Sequence, residues 1–282
     1  MKKRKIKFAS SDYLYSSLPV TRKQEFFDLY KNSFNKIFYI GLILLIFALP
    51  MLAYIIFMDY GFTSLNAANY PDSLSDMLYV WDLYDRLGIS LSYPILLVGI
   101  SIILSIEKKL IWQEGVSFIY EIKNGFLENY RQLIKPTIFL LIFYYLSFYV
   151  SETYTFSFIT YLPLLLVLLI FFPLYLWHIQ LLNYYEAKFL SSLKNSLFFF
   201  AKSMPFTLLM AILNAAPFIF YYLPINASTF YYLIKYIILV ALILFYYPLL
   251  SLIFSLYAHN KFDEYINVDN FPNDYHRGLY DK

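Results

Sequence analysis

Six apolar runs divide this chain, each long enough to cross a bilayer as a helix. They lie at about 37–58, 89–106, 133–150, 158–182, 204–223 and 229–258. Hydrocarbon offers the backbone no hydrogen-bonding partner, so runs of this kind must satisfy themselves internally as helices. The expected fold class is therefore all-α, a polytopic membrane bundle of six transmembrane helices. Composition agrees: 60% of residues are hydrophobic and 15% are charged, where a soluble domain carries about 25% charged residues. The abundance of Tyr (31) and Phe (29) reads as the mark of an A- and T-rich genome rather than of a sugar-stacking surface.

The arrangement of charge orients the bundle. Both chain ends, together with the segments after the second and fourth runs, hold 20 of the 22 Lys and Arg residues, and the opposite side holds Arg86, with Lys235 near its edge. Cationic loops stay in the cytoplasm, so N-in and C-in is expected. The opening Lys2, Lys3, Arg4, Lys5 and Lys7 do not begin a secretory signal, because the first apolar run is too long and lacks a small-residue cleavage site. They are expected to rest in the cytoplasm near anionic lipid.

Three amphipathic stretches precede spans, at about 22–35, 110–131 and 187–202. Each carries a Lys-Asn pair, at Lys31-Asn32, Lys123-Asn124 and Lys194-Asn195, and the dipeptide occurs nowhere else. Apolar triplets flank the pairs on one helical face: Phe27, Tyr30 and Phe34; Ile119, Ile122 and Phe126; Leu190, Leu193 and Leu197. The chain thus reads as three rounds of surface helix, span, span. The surface helices are expected to press their apolar side into the bilayer edge while the lysines reach headgroups.

Residues 59–88 read as an acidic external loop carrying an amphipathic helix after Pro71-Asp72, which lids the bundle or docks a partner. Within it Asp59, Asp72, Asp76, Asp82 and Asp85 face a single Arg86, and Trp81 and Tyr84 suit the headgroup region. Residues 1–258 form the expected membrane domain and 259–282 a polar cytoplasmic tail. Glu107, Glu114, Glu121 and Glu128 recur every seventh residue. On one helix such residues stand about 10 Å apart along the axis, too far to share an ion, so they read as a solvated stripe.

Little in the spans announces chemistry. With no Cys, thiolate catalysis and thiolate metal sites are excluded. No nucleophile elbow, Walker loop, zinc-protease or dinucleotide motif is present. His178, His259 and His276 lack ligand partners at helical spacing within a span, so no metal or cofactor is expected. A nucleic-acid partner would need a clustered basic face on a soluble module. The candidate polar intramembrane positions are Asn214, Pro217 and Lys235. Pro217 frees a backbone carbonyl one turn earlier; Asn214 could line a solute path or join two helices; Lys235 could snorkel outward as an anchor.

Asn35, the span ending Ala48-Leu49-Pro50-Met51-Leu52-Ala53, the basic helix around Lys123-Asn124 and the segment Phe189 to Lys202 leading to Pro205 together resemble the YesL-like family of bacterial membrane proteins. The resemblance covers most of residues 25–258. It implies a Gram-positive plasma-membrane protein associated with oligosaccharide uptake through binding-protein-dependent transporters, and it brings no catalytic residues. The chain departs from that pattern in length, in the 59–88 segment and in the tail. The expected function is a non-enzymatic accessory or regulatory integral membrane protein, partnered by the lipid bilayer and by a transporter complex or its solute-binding protein. The alternative is a small-solute permease using the proline-interrupted spans.

Overall fold

The computed structural model describes residues 18–67, 74–153, 162–185, 188–222 and 229–280. The basic residues 2–7, Pro71-Asp72 and residues 154–161 and 223–228 lie outside the described residues, as do the side chains of Asp76, Trp81, Asp82 and Glu128.

Every regular element among the described residues is helical. In chain order they are α1 (Arg22–Asn32), α2 (Phe34–Ala67), α3 (Leu74–Ile111), α4 (Phe118–Asn124), α5 (Tyr130–Thr153), α6 (Leu162–Leu166), α7 (Phe172–Tyr184), α8 (Phe189–Lys202), α9 (Met204–Tyr222), α10 (Thr229–Ala241), α11 (Tyr247–Phe262) and α12 (Val268–Asn270). Single π turns join α4 to α5, α6 to α7, α10 to α11 and α11 to α12. Among the described residues four helical segments are long and apolar enough to cross a membrane: Phe34–Gly61, Leu83–Ile111, Leu162–Tyr184 and Tyr232–Asn270. A fifth arises if α8 and α9, which meet at 101°, count as one bent span. Only 28% to 44% of each straight span is buried inside the protein. The rest, including Ile46, Phe57, Leu91 and Ile237, is exposed apolar surface that water would not tolerate. The chain is a multi-pass membrane protein.

Three apolar cores define the packing. Ile37, Ile40 and Leu44 of α2 meet Ile102 and Ile106 of α3 and Leu252 of α11. Leu133 and Leu140 of α5 meet Leu97 and Leu104 of α3 and Tyr175 and Ile179 of α7. Met210 of α9, with Phe199 of α8, meets Trp177 and Leu181 of α7 and Phe254 and Phe262 of α11. Each core therefore lies between two of α3, α7 and α11 and is closed by α2, α5 or α9. The result is an inner triangle of α3, α7 and α11 inside an outer triangle of α2, α5 and α9. Lipid provides no hydrophobic drive between helices, so this interdigitation and the polar contacts below hold the bundle together.

Repetition is visible in the backbone. The π turn Val167–Phe171 followed by Pro173 in α7 is matched by the π turn Leu242–Tyr246 followed by Pro248 in α11. In each case the helix shifts its bonding register just ahead of a residue with no N–H. The breaks entering α2 and α9 also match: Ser33 (φ −123°, ψ 20°) donates to the Leu29 carbonyl, and Ser203 (φ −126°, ψ 24°) donates to the Phe199 carbonyl. That equivalence places the third Lys-Asn pair about two turns earlier relative to its span than the first. Two turns preserve the face, so the pairs keep the same place relative to their flanking apolar triplets.

Several expectations are redrawn. The segment read as an external loop is mostly helix: α2 runs on to Ala67, and α3 begins at Leu74 and continues straight into the second span. The stretch 110–131 is the end of α3, a turn, the short α4 and a π turn. The glutamate stripe is not solvated, because this turn takes its members off one helix. Glu107 and Glu121 are buried and Glu114 is ion-paired. Residues 259–280 do not trail as a tail. Helix continues to Asn270, and the chain then folds back until the Tyr280 N–H bonds the Pro19 carbonyl at 2.9 Å.

Candidate functional site

The three inner helices converge on a buried polar column near their shared end. Glu107, in the last turns of α3, is fully buried. Ser251 and Ser255, one turn apart on α11, donate to its Oε2 at 2.9 and 2.6 Å. Gln180 of α7 donates through Nε2 to Ser255 Oγ at 2.8 Å. Each inner helix thus supplies a polar group to one layer. The second oxygen of Glu107 and the amide oxygen of Gln180 are buried without a hydrogen-bond partner.

One turn further along, Trp112, Tyr184 and His259 make an aromatic layer, again one residue from the end of each inner helix. Their ring centroids are 6.0, 6.3 and 5.1 Å apart in edge-to-face contact. Trp112 Nε1 donates to His259 Nε2 at 2.7 Å. An indole N–H can only donate, so Nε2 must be the acceptor and Nδ1 carries the proton of the neutral ring. Nδ1 lies 3.3 Å from Asp263 Oδ2 and 3.0 Å from Arg22 Nη2, so the carboxylate suits its proton while the guanidinium opposes it.

The outermost layer is ionic. Arg22 of α1 donates to Glu25 Oε2 and to Asp263 Oδ2, each at 2.8 Å, and to the Arg277 carbonyl at 3.1 Å. Asn267 Nδ2 donates to Asp263 Oδ1 at 2.8 Å, and the Tyr185 hydroxyl donates to Asn267 Oδ1 at 2.6 Å. Arg22, Glu25 and Asp263 are buried, so each charge depends on its partners to offset lost hydration. Burial opposes the Arg22 charge, yet Glu25 and Asp263 together raise its pKa above the ordinary value. Burial pushes the Glu25 carboxyl up to about 7 against the pull of Arg22. Burial, aided by Asp263 and Asp274, also raises the Tyr185 phenol.

The folded-back C-terminal segment closes the column. Arg277 lies 4.0 Å above the Trp112 ring and pairs with Glu114 and Asp274. Lys108 approaches the same ring at 4.6 Å and donates to the Asn183 carbonyl at 3.0 Å. Gly278 has φ +87°, and a Cβ there would sit 2.1 Å from the Ile111 carbonyl oxygen, so only glycine permits this contact. Gln113 ends α3 in the left-handed conformation at φ +52°. The Glu114 N–H bonds the Lys109 carbonyl and the Gln113 N–H bonds that of Leu110, the bond pair of a Schellman cap in which Gln occupies the usual glycine position.

The positions singled out in the sequence are distributed differently. Asn214 Nδ2 donates to the Met210 carbonyl of its own helix at 2.8 Å. The Leu213 carbonyl, four residues before Pro217, accepts the Tyr246 hydroxyl at 2.8 Å across the bundle. Lys235 does not snorkel as an isolated anchor: it pairs with Asp59 Oδ2 at 2.7 Å, and the Tyr236 hydroxyl joins the same oxygen at 3.0 Å. Lys31, Asn32, Lys123, Lys194 and Asn195 are exposed and Asn124 is half-buried; none of them enters the column.

Their helices are nevertheless informative. α1 buries Arg22, Glu25 and Leu29 and exposes Phe27 and Tyr30. α4 buries Glu121, bonded to Ser105, and exposes Ile119, Tyr120 and Ile122. α8 buries Ser192, Ser196 and Phe199 and exposes Leu190, Leu197 and Phe198. All three bury polar groups while leaving large apolar side chains exposed beside their lysines, unlike a helix on a water-soluble domain.

The column itself was missed. A signal existed: Ser251, Ser255, His259, Asp263 and Asn267 recur every fourth residue along the last helix, a polar stripe that continues beyond the sixth apolar run. No group of three or more His, Asp or Glu residues able to hold a metal ion occurs among the described residues. Comparisons with protein-family models, with curated proteins and with solved structures find no match for this chain.

Proposed function

We propose that this is a six-span protein of a bacterial plasma membrane, both termini cytoplasmic, acting as a non-enzymatic accessory or regulatory subunit. The observation that carries the accessory reading is the union of the segments around Arg22 and around Asp263 to Arg277 on one platform. Arg22 near the start, Asp263 and Arg277 near the end, and the tips of α3, α7 and α11 are tied together by buried ion pairs and hydrogen bonds. Such a platform presents a preorganised surface to a partner.

The meeting of Pro19 and Arg22 with Asp263 and Tyr280 supports an even number of crossings between them. Four straight spans with α5 and α9 added make six, and the 101° corner suits α8 lying along the surface before α9 enters the membrane. The outward apolar faces of α1, α4 and α8, beside exposed lysines, suit an interface where stems contact acyl chains and ammonium groups reach phosphates. The excess of Lys and Arg on that side favours the cytoplasm. The permease reading keeps Asn214 as its candidate, with one amide N–H bonded to the Met210 carbonyl of its own helix. The link to oligosaccharide uptake rests on the YesL-like resemblance, and a transporter subunit is the partner it suggests.

The chain contains no cysteine, so single-Cys variants report topology directly. Labelling with an impermeant maleimide in whole cells should spare Cys at positions 20 and 276 and modify Cys at position 68; modification of either terminal position would overturn the orientation. Purification in a mild detergent should recover a stoichiometric membrane partner. Repeated isolation of the protein alone, together with solute uptake in proteoliposomes that an Asn214→Leu variant performs equally well, would reject both the accessory role and the path through Asn214.

A further inference from the structure

We propose that the oxygen cluster around Glu107 is a binding site for one small monovalent cation of the sodium or potassium class. Glu107 is fully buried, and both of its hydrogen bonds fall on Oε2. Its Oε1 has no partner. The nearby cations are engaged elsewhere: Lys108 donates to the Asn183 carbonyl, and Arg22 is held by Glu25 and Asp263. An ionised carboxylate in this position carries a desolvation penalty that two hydroxyl donors offset only in part.

The surroundings offer further acceptors. Gln180 spends an amide N–H on Ser255 Oγ, and its carbonyl oxygen is also buried without a partner. Ser251 and Ser255 direct their hydroxyl protons at Glu107; Ser255 Oγ also accepts from Gln180, which leaves it one further lone pair. The site would draw on one carboxylate, one amide carbonyl and two hydroxyl oxygens from α3, α7 and α11, a hard, all-oxygen donor set. Its single negative charge matches a single positive charge. Calcium is usually held by several carboxylates among six to eight oxygens, and magnesium retains a shell of waters. The cation would sit where the three inner helices meet, so its binding would stabilise their junction beneath the ionic platform. This inference concerns the isolated chain and stands apart from the accessory role, since its readout requires no partner.

The test uses the full-length protein in detergent micelles. Thermal unfolding is followed in sodium, potassium and choline chloride at equal ionic strength and at two pH values on either side of neutrality, alongside binding of radioactive sodium. The expected result is a saturable rise in unfolding temperature with sodium or potassium over choline, and bound isotope that unlabelled cation displaces. Glu107→Gln should abolish both effects, and Ser255→Ala should raise the half-saturating concentration by about tenfold. Equal unfolding temperatures in all three salts at both pH values, with no displaceable isotope, would show that a proton alone neutralises Glu107 and would overturn the proposal. Retention of cation binding by a folded Glu107→Gln variant would overturn it equally. If neither variant folds, the comparison of the three salts on the unaltered protein still decides.

Discussion

Arg22 and Asp263 stand 241 residues apart in the chain and 2.8 Å apart in the fold, with neither side chain more than 6% exposed. The pair fastens the helix that precedes the first span to the helix that ends the last. Removing one member strands the other charge in a dry site, which is where buried pairs become costly. Arg22→Met is expected to lower unfolding stability in detergent by about 3–5 kcal/mol. Arg22→Met combined with Asp263→Asn should recover part of that loss. Additive losses in the double variant would show that the two side chains are not coupled.

Glu25 makes the platform sensitive to pH. Its carboxyl is held up to about 7 from an ordinary value of 4.5 because burial outweighs the attraction of Arg22. A carboxyl raised on folding contributes stability that is complete below the unfolded value and is lost as the pH climbs through the folded one. Stability should therefore fall between about pH 4.5 and 7, by roughly 2–3 kcal/mol from this group. Denaturation of the Glu25→Gln variant, compared with the parent across that window, should show a flatter profile. Parallel profiles would remove Glu25 from the account.

Gly41 brings α2 against the helix entering α11 so closely that a Cβ would lie 2.0 Å from the Leu244 carbonyl oxygen. That neighbour is backbone and cannot swing aside. Gly41→Ala should destabilise by about 1–3 kcal/mol, as overpacked core substitutions do. Gly115, with nothing within 4 Å of its added Cβ, supplies the control. Gly115→Ala should be neutral or stabilising by about 0.4–1 kcal/mol through the unfolded chain. Equal effects at the two sites would refute the close approach.

Tyr246 supplies the hydrogen bond that Pro217 withholds from the Leu213 carbonyl. Tyr246→Phe should cost about 1 kcal/mol, more if the carbonyl finds no water. In a Pro217→Ala background the helix regains its own N–H donor, and the Tyr246→Phe penalty should shrink. A penalty of the same size in both backgrounds would separate the tyrosine from the proline.

The membrane character of the chain was legible because hydropathy and length are local properties that a bilayer reads directly. The first run is α2, the second lies inside α3, and the fourth, fifth and sixth are carried by α6 with α7, α9, and α10 with α11. The effect of Pro217 was legible for the same reason: a missing N–H always releases a carbonyl one turn back. Nothing local separates Glu107, buried beneath two serines more than 140 residues away, from the exposed Lys123. His259 and Asp263 lie beyond the apolar runs and read as solvated. Their burial depends on Arg22 and Trp112 arriving from distant parts of the chain.

The sequence alone determined that this polypeptide lives in a bilayer as helices, because transfer of apolar side chains and closure of backbone hydrogen bonds are settled segment by segment. Only the tertiary structure decided that α3, α7 and α11 stand inside α2, α5 and α9, and that their polar tips meet. Whether a charged group is solvated or buried depends on which partners surround it, and those partners are assembled only when the helices pack.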